Sequence, residues 1–262
     1  MISGPTWWNM TEDTDKQTSQ RLDAAARIVA DCRKNRTTLV SLPADARPAT
    51  EAEGYAVQTR VLDLLGVSPD CWKVSASGPS GATAAPVFGN IFAQTPASAT
   101  NVSLLEAEIA LLLKKDLPSG PGITYSRDMI YDAVDAIAVA FELVFFRLTD
   151  PDLSFPERLA DGLASDGAVI GTRLPKENLL DRPVDRMALF KDGHSVPFTP
   201  TDIDPIASVQ AYANHGGHPL DVLKSGRWIL TGSMIGLEPA AGPSEWKAVW
   251  NGETEVSLSC LS

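Results

Sequence analysis

An α+β fold is predicted, with a mixed, rolled or sandwich-like sheet behind a short N-terminal run of helices. Three observations carry this expectation. Apolar residues recur at three and four spacing within the first seventy residues, as on the buried stripe of a helix. Beyond them come short apolar runs broken by Gly, Pro and Ser, which read as strands. Those strands cluster without the helical alternation of βαβ units, which argues against a doubly wound parallel sheet. The chain has 262 residues, 44% hydrophobic and 21% charged, enough to bury a large core with a smaller appendage.

Residues 1–17 are polar apart from Trp7 and Trp8, and are expected to form a loosely held arm or a partner contact. Residues 18–35 carry Leu22, Ala25, Ala26, Val29 and Cys32 at helical spacing. A loop with Pro43 and Pro48 follows. Thr50 and Glu53 then form a capping-box signal for a helix that reaches Leu65, with Gly66 to stop it. Val57, Val61, Leu64 and Leu65 are its expected buried stripe. These two helices make an N-terminal helical segment, 18–68, ahead of a β-roll domain, 69–262.

Cys71-Trp72-Lys73-Val74-Ser75 reads as a short strand, and 78–86 as a small-residue loop. Strands are expected around Glu106 and Glu108 and around Glu142, with a short helix at 126–134 between them. Residues 148–165 have no strong pattern and are expected to form a lid or active-site loop. Ala168-Val169-Ile170-Gly171 is a strand. Met187-Ala188-Leu189-Phe190 runs into Asp192-Gly193, a hairpin signal. Asp204-Pro205 opens a helix reaching about Asn214. Strands at Trp228–Thr231 and Val256–Leu258 complete the pattern.

The chemistry concentrates in three carboxylates. Glu106 and Glu108 are two apart in a strand, so they share one face, while Leu105, Ala107, Ile109 and Leu111 take the other. Two carboxylates on one face of an apolar strand repel each other and are costly to desolvate. They must take up protons, meet water or share a cation. A third carboxylate, Glu142, lies in a second apolar strand and favours the cation. Oxygen-only ligation suits a hard divalent ion, Mg²⁺ or Mn²⁺. The competing reading is a pair of half-exposed strands with solvated glutamates.

Net charge is −11 and the pI near 4.7, with the acidity spread along the chain and no basic patch, so nucleic acid is not an expected partner. No apolar stretch is long enough to span a bilayer, and no membrane partner is expected. Cys32, Cys71 and Cys260 are widely spaced and form no metal or redox motif, which suggests reduced thiols and a cytoplasmic location. Cys71 beside Lys73 is read as a small buried residue rather than a reactive thiol. His194, His215 and His218 are read as surface residues.

The order and spacing of several short runs resemble the 2-keto-4-pentenoate hydratase group of the fumarylacetoacetate hydrolase superfamily, from about Thr18 to the C-terminus. The runs are Gly54-Tyr55-Ala56-Val57-Gln58, Trp72-Lys73-Val74, Phe88-Gly89, Glu106-Ala107-Glu108-Ile109-Ala110 and Lys115-Asp116-Leu117-Pro118. They continue with Phe141-Glu142-Leu143-Val144 and Arg147, the stretch from Ala160-Asp161 to Gly171, and Leu230-Thr231-Gly232-Ser233. The resemblance implies the mixed β-roll and a divalent metal on Glu106, Glu108 and Glu142. It implies a 2-oxo or 2-hydroxydienoic acid substrate, hydratase chemistry of aromatic-compound catabolism, and a homo-oligomer. Lys73 matches the family's active-site lysine, and Asp161 and Ser165 match an acidic and a hydroxyl position of its active-site loop.

The chain also departs from that pattern. Val87 stands where Asp usually precedes the Phe-Gly pair, and Phe145-Phe146 where Asp-Ser precedes the Arg. Ala160-Asp161-Gly162 replaces Ala-Asp-Asn, and Lys73-Val74-Ser75-Ala76-Ser77 replaces Lys-Ile-Gly-Leu-Thr. The metal ligands are kept while proton-transfer groups change, and Asp161 is the expected substitute base. A hydratase is the expected activity. The alternatives are decarboxylation of a 2-oxo-dioic acid, hydrolysis of an acylpyruvate, and a catalytically weak paralogue that serves as partner subunit or oxo-acid binder.

Overall fold

No Gly or Pro interrupts the chain from Trp7 to Asn35, and in the computed structural model this whole stretch is one helix, α1 (Trp7–Asn35). The structure describes residues 7–79, 81–92, 95–120, 122–180, 186–252 and 254–262. The helix thus starts well before residue 18, where its apolar stripe begins. Lengthening a formed helix fixes one residue per hydrogen bond, whereas starting one is the costly step. The expected stripe is buried at Leu22, Ala25, Ala26, Val29 and Cys32, while residues 15–21 stay exposed or half-exposed. Residues 1–6 of the expected arm lie outside the described residues.

Helix α2 (Glu51–Leu65) starts where the capping signal places it. Thr50 Oγ1 accepts from the Glu53 N–H at 3.2 Å, and Gly66 ends the helix at φ 65°. Its stripe runs through Val57, Val61 and Leu62, while Leu64 is exposed. A third helix, α4 (Phe155–Ala160), belongs with these two. The compact unit they form is discontinuous, taking in the chain up to Val67 and then Phe146–Leu163. Residues 148–165, expected as a lid, therefore supply a helix to this unit. The overlooked signal was Ser154, Pro156 and Glu157: Ser154 caps α4 by accepting from the Glu157 N–H. Gly54 makes the approach of α2 to α4 possible, because a Cβ there would lie 2.7 Å from the Pro156 carbonyl. Gln58 Nε2 donates to the Leu159 carbonyl at 2.5 Å across the same contact.

The second unit comprises Ser68–Phe145 and Ala164–Ser262. Its larger sheet contains β1 (Cys71–Ser75), β2 (Thr83–Pro86), β3 (Asn90–Phe92), β5 (Leu104–Leu113), β6 (Val134–Val144), β7 (Ser165–Ile170) and β11 (Trp228–Ser233). The strands run in the order β2-β1-β11-β5-β6-β7-β3, with the short β8 (Leu174–Pro175) beside β6 and β12 (Glu238–Pro239) beside β5. Residues 83–86, expected as loop, pair antiparallel with β1 instead. A smaller sheet has the order β10-β9-β13-β14-β4, from β4 (Ala97–Thr100), β9 (Met187–Lys191), β10 (His194–Val196), β13 (Ser244–Trp250) and β14 (Thr254–Leu261). The expected hairpin turns at Asp192-Gly193, both at positive φ. The β13–β14 hairpin follows the same chemistry at Asn251-Gly252, with φ of 56° and 72°, a signal the sequence reading passed over. Helix α3 (Arg127–Ala133) and helix α5 (Pro205–His215) form where expected, capped by Ser126 and Asp204.

The two faces of the larger sheet differ. Leu105, Ala107, Ile109, Leu111, Val139 and Phe141 join Trp246, Trp250, Val256 and Leu258 of the smaller sheet in one core. The other face is built from smaller residues, with Ala110, Ala138, Ala140 and Ala168 beside Val87 and Leu230. The expected α+β architecture of a mixed sheet with N-terminal helices is thus present. No helix among the described residues is long and apolar enough to cross a membrane.

Candidate metal centre

Pairing of β5 with β6 sets Glu106 directly opposite Glu142, and strand alternation puts Glu108 on the same face. One carboxylate oxygen from each of the three glutamates lies within 4.8 Å of the others. Glu108 and Glu142 are buried, and Glu106 is half-exposed at the edge of the group. The reading of solvated glutamates on half-exposed strands therefore fails for two of the three.

Lys73 reaches the group from β1, three strands from β6. Its neighbours across the sheet are Leu230 on β11 and then Ala110 on β5, paired with Ala138 on β6. Lys73 Nζ donates to Glu142 Oε1 at 2.8 Å. Glu108 is held differently. The β11 ladder is irregular between Leu230 and Ser233, and Gly232 sits there at φ 112°. The Gly232 N–H, turned out of the ladder, donates to Glu108 Oε2 at 2.8 Å.

Electrostatics follow from this crowding. Burial, then repulsion from Glu142, raises the Glu106 carboxyl to about 7, against the pull of Lys73. Burial and both neighbouring carboxylates push Glu108 well above the usual range. Burial alone would lower the Lys73 ammonium, but Glu142, Glu106 and Glu108 outweigh it and raise its pKa. Cys71, two residues before Lys73 on the same strand face, is buried, and its thiol is pushed well up by burial and by Glu142 and Glu108. A thiol so held is inert, as the sequence suggested.

The donor set fits a hard divalent cation. It offers only oxygens, and Glu142 Oε2 is buried with no hydrogen-bond partner among the described residues. Glu106, Glu108 and Glu142 would hold such an ion through one oxygen each, which leaves positions for water or substrate.

The other sequence candidates are placed as follows. Ser165 starts β7, fully buried and paired with Val144. Asp161 caps α4 in the helical unit. There it accepts from Arg147 Nη1 and from the Arg147 backbone N–H, both at 3.2 Å, with Arg33 at 3.6 Å. Burial raises its carboxyl, with the two guanidiniums opposing. The structure thus brings Lys73 to the three glutamates, while the partners of Asp161 are arginines of its own unit. His218, expected at the surface, is buried edge-on to Trp72 with ring centroids 4.9 Å apart, and burial lowers its pKa to about 4. The Gly232 N–H was the feature that sequence reasoning missed; its signal was a glycine inside a strand pattern.

No family model matches the chain. Over 156 residues it is 32% identical to 2-hydroxyhexa-2,4-dienoate hydratase of Comamonas testosteroni, and the match spans 58% of each protein. The structure of 4-oxalocrotonate decarboxylase from Pseudomonas putida G7, complexed with magnesium and adipate, superposes with a TM-score of 0.75. That match covers 93% of this chain and 98% of the other at 18% identity. That likeness shows a shared fold. The structure of fumarylpyruvate hydrolase from Pseudomonas aeruginosa, in complex with Mn²⁺ and pyruvate, is similar at a TM-score of 0.50, with 16% identity over 73% of this chain and 88% of that one.

Proposed function

We propose that the chain is a divalent-metal-dependent hydratase acting on a 2-hydroxydienoate through its 2-oxo form. The observation that carries this reading is the convergence of Glu106, Glu108 and Glu142 within 4.8 Å, with Lys73 on Glu142. The partial match to a dienoate hydratase supports the substrate class. Mg²⁺ or Mn²⁺ held by the three carboxylates would act as a Lewis acid toward the oxygens of the bound 2-oxo acid and stabilise developing negative charge. The protein's own part is to position and to move protons. The Gly232 N–H fixes one oxygen of Glu108 and leaves the other to ligate. Lys73, whose charge the neighbouring carboxylates favour, would offset the substrate carboxylate or move a proton. Ser165 contributes a buried hydroxyl.

Decarboxylation of a 2-oxo-dioic acid is the second reading, because the same oxygen-ligated ion and fold accommodate it. The buried free thiols of Cys32, Cys71 and Cys260 support a reducing, cytoplasmic setting, and the proposed substrates arise from opened aromatic rings. The test follows the ultraviolet absorbance of 2-hydroxypenta-2,4-dienoate. Loss of absorbance that requires Mg²⁺ or Mn²⁺ is expected. No loss with either ion, or a loss indifferent to chelator, overturns the proposal, and CO₂ release from a 2-oxo-dioic acid alone transfers it to the decarboxylase.

A further inference from the structure

We propose that Thr231 is a positioning residue for the metal centre: its hydroxyl takes up the Ile109 carbonyl and so leaves the Gly232 N–H for Glu108. The proposal rests on the reading of the metal centre given above. Strands β11 and β5 keep step as far as Leu230 opposite Ala110, and the next pair is Ser233 opposite Glu108. Three residues pass on β11 for two on β5, so Thr231 and Gly232 together face Ile109, the count of a β-bulge. The Ile109 carbonyl accepts from Thr231 Oγ1 at 2.7 Å, and the Gly232 N–H donates to Glu108 Oε2 at 2.8 Å. A side chain thus fills a place in the ladder, and a backbone donor is released to a buried carboxylate.

The surroundings hold the bulge in that state. Gly232 has φ of 112°, a region closed to most residues with a side chain, and a Cβ there would lie 3.2 Å from Ile203 Cδ1. Thr201, in the segment ahead of α5, clasps the far end of the bulge. Its Oγ1 donates to the Ser233 carbonyl at 2.6 Å and its N–H to the Met234 carbonyl at 3.2 Å. The Met234 N–H donates to the Ala107 carbonyl at 2.8 Å, which rejoins the ladder on β5. Thr231 is fully buried, so water cannot take the place of its hydroxyl. Without that hydroxyl the Ile109 carbonyl must be met by the N–H groups of the bulge, at the expense of Glu108. Groups that hydrogen-bond a metal ligand fix its orientation, and losing one costs roughly 10–100-fold in affinity.

The experiment is calorimetry of Mn²⁺ binding, with thermal unfolding alongside. Thr231→Val keeps the shape and the β-branch but has no hydroxyl, and is expected to weaken Mn²⁺ binding about tenfold. Thr231→Ser keeps the donor and is expected to recover most of the affinity. Thr231→Cys, close in size and a weak donor, should bind Mn²⁺ as poorly as the valine variant, and it decides the question if that variant does not fold. Thr254→Val is the control. It removes another buried hydroxyl, which donates to the Thr172 carbonyl at 3.2 Å, and is expected to leave Mn²⁺ affinity unchanged. Wild-type or tighter affinity in folded Thr231→Val or Thr231→Cys overturns the role of Thr231 alone. Failure of Thr231→Ser to recover binding, or an equal loss in Thr254→Val, overturns it too, because packing would then be the cause. Wild-type protein that binds no Mn²⁺ overturns the reading of the centre, and Thr231 with it.

Discussion

Glu108 is buried beside two other carboxylates, an arrangement tolerable only with protons, cations or hydrogen bonds to spread the charge. Lys73 and the Gly232 N–H supply part of that compensation. Glu106→Gln keeps the shape and removes one ligand charge. Mn²⁺ calorimetry is expected to show affinity lowered by more than tenfold, about 1.4 kcal/mol or more; equal affinities would remove Glu106 from the ligand set. Lys73→Met should retain Mn²⁺ binding while turnover falls by roughly 10²-fold or more, the range of an acid–base group. A variant that turns over normally would exclude Lys73 from the chemistry. The glutamate triad was legible because strand alternation is a local rule. The contact of Lys73 with Glu142 was not, since the order β1-β11-β5-β6 does not follow the sequence.

Among the elements, the capped helices α2, α3 and α5 and the Asp192-Gly193 hairpin could be read directly, because each signal sits within four residues, while the same kinds of signal at Ser154 and at Asn251-Gly252 were passed over. β13 was missed although Ser244, Trp246, Ala248 and Trp250 alternate inward, and β2 was missed because its small residues resemble a loop. The Phe88-Gly89 pair acquires a physical meaning only in three dimensions. A Cβ on Gly89 would lie 1.7 Å from the Asp166 carbonyl oxygen, so glycine is required where the chain enters β3 alongside β7. Gly89→Ala is expected to cost about 3 kcal/mol, the upper range for overpacking. Thermal unfolding would show this as a drop of roughly 6–12 °C. An unchanged melting temperature would mean that β3 can move aside freely.

Across the whole molecule, the raised carboxyls tie stability to pH and metal. The Glu106 carboxyl titrates near 4.5 when unfolded and at about 7 in the folded chain. Between those values the folded state binds more protons, so stability falls as pH rises through that window. Metal-free protein is expected to melt lower at pH 8 than at pH 5.5. Glu106→Gln should flatten that slope, and saturating Mn²⁺ should reverse it, adding about 2.7 kcal/mol at one hundred times its dissociation constant. Melting curves with and without the ion check both statements; a metal-free slope of opposite sign would contradict the buried triad. The helical unit was only half legible, since nothing local announces that residues 146–163 return to helices formed before residue 67. Gly54 has its neighbours in α4, far down the chain. On the ribosome, roughly eighty residues of sheet must therefore emerge before α2 meets its partner. At about 5–20 residues per second that is a wait of roughly 4–16 s. During it the face of α2 that receives α4 at Gly54 and Gln58 is open to chaperones, which exposes the newborn amino-terminal quarter of the chain to quality control.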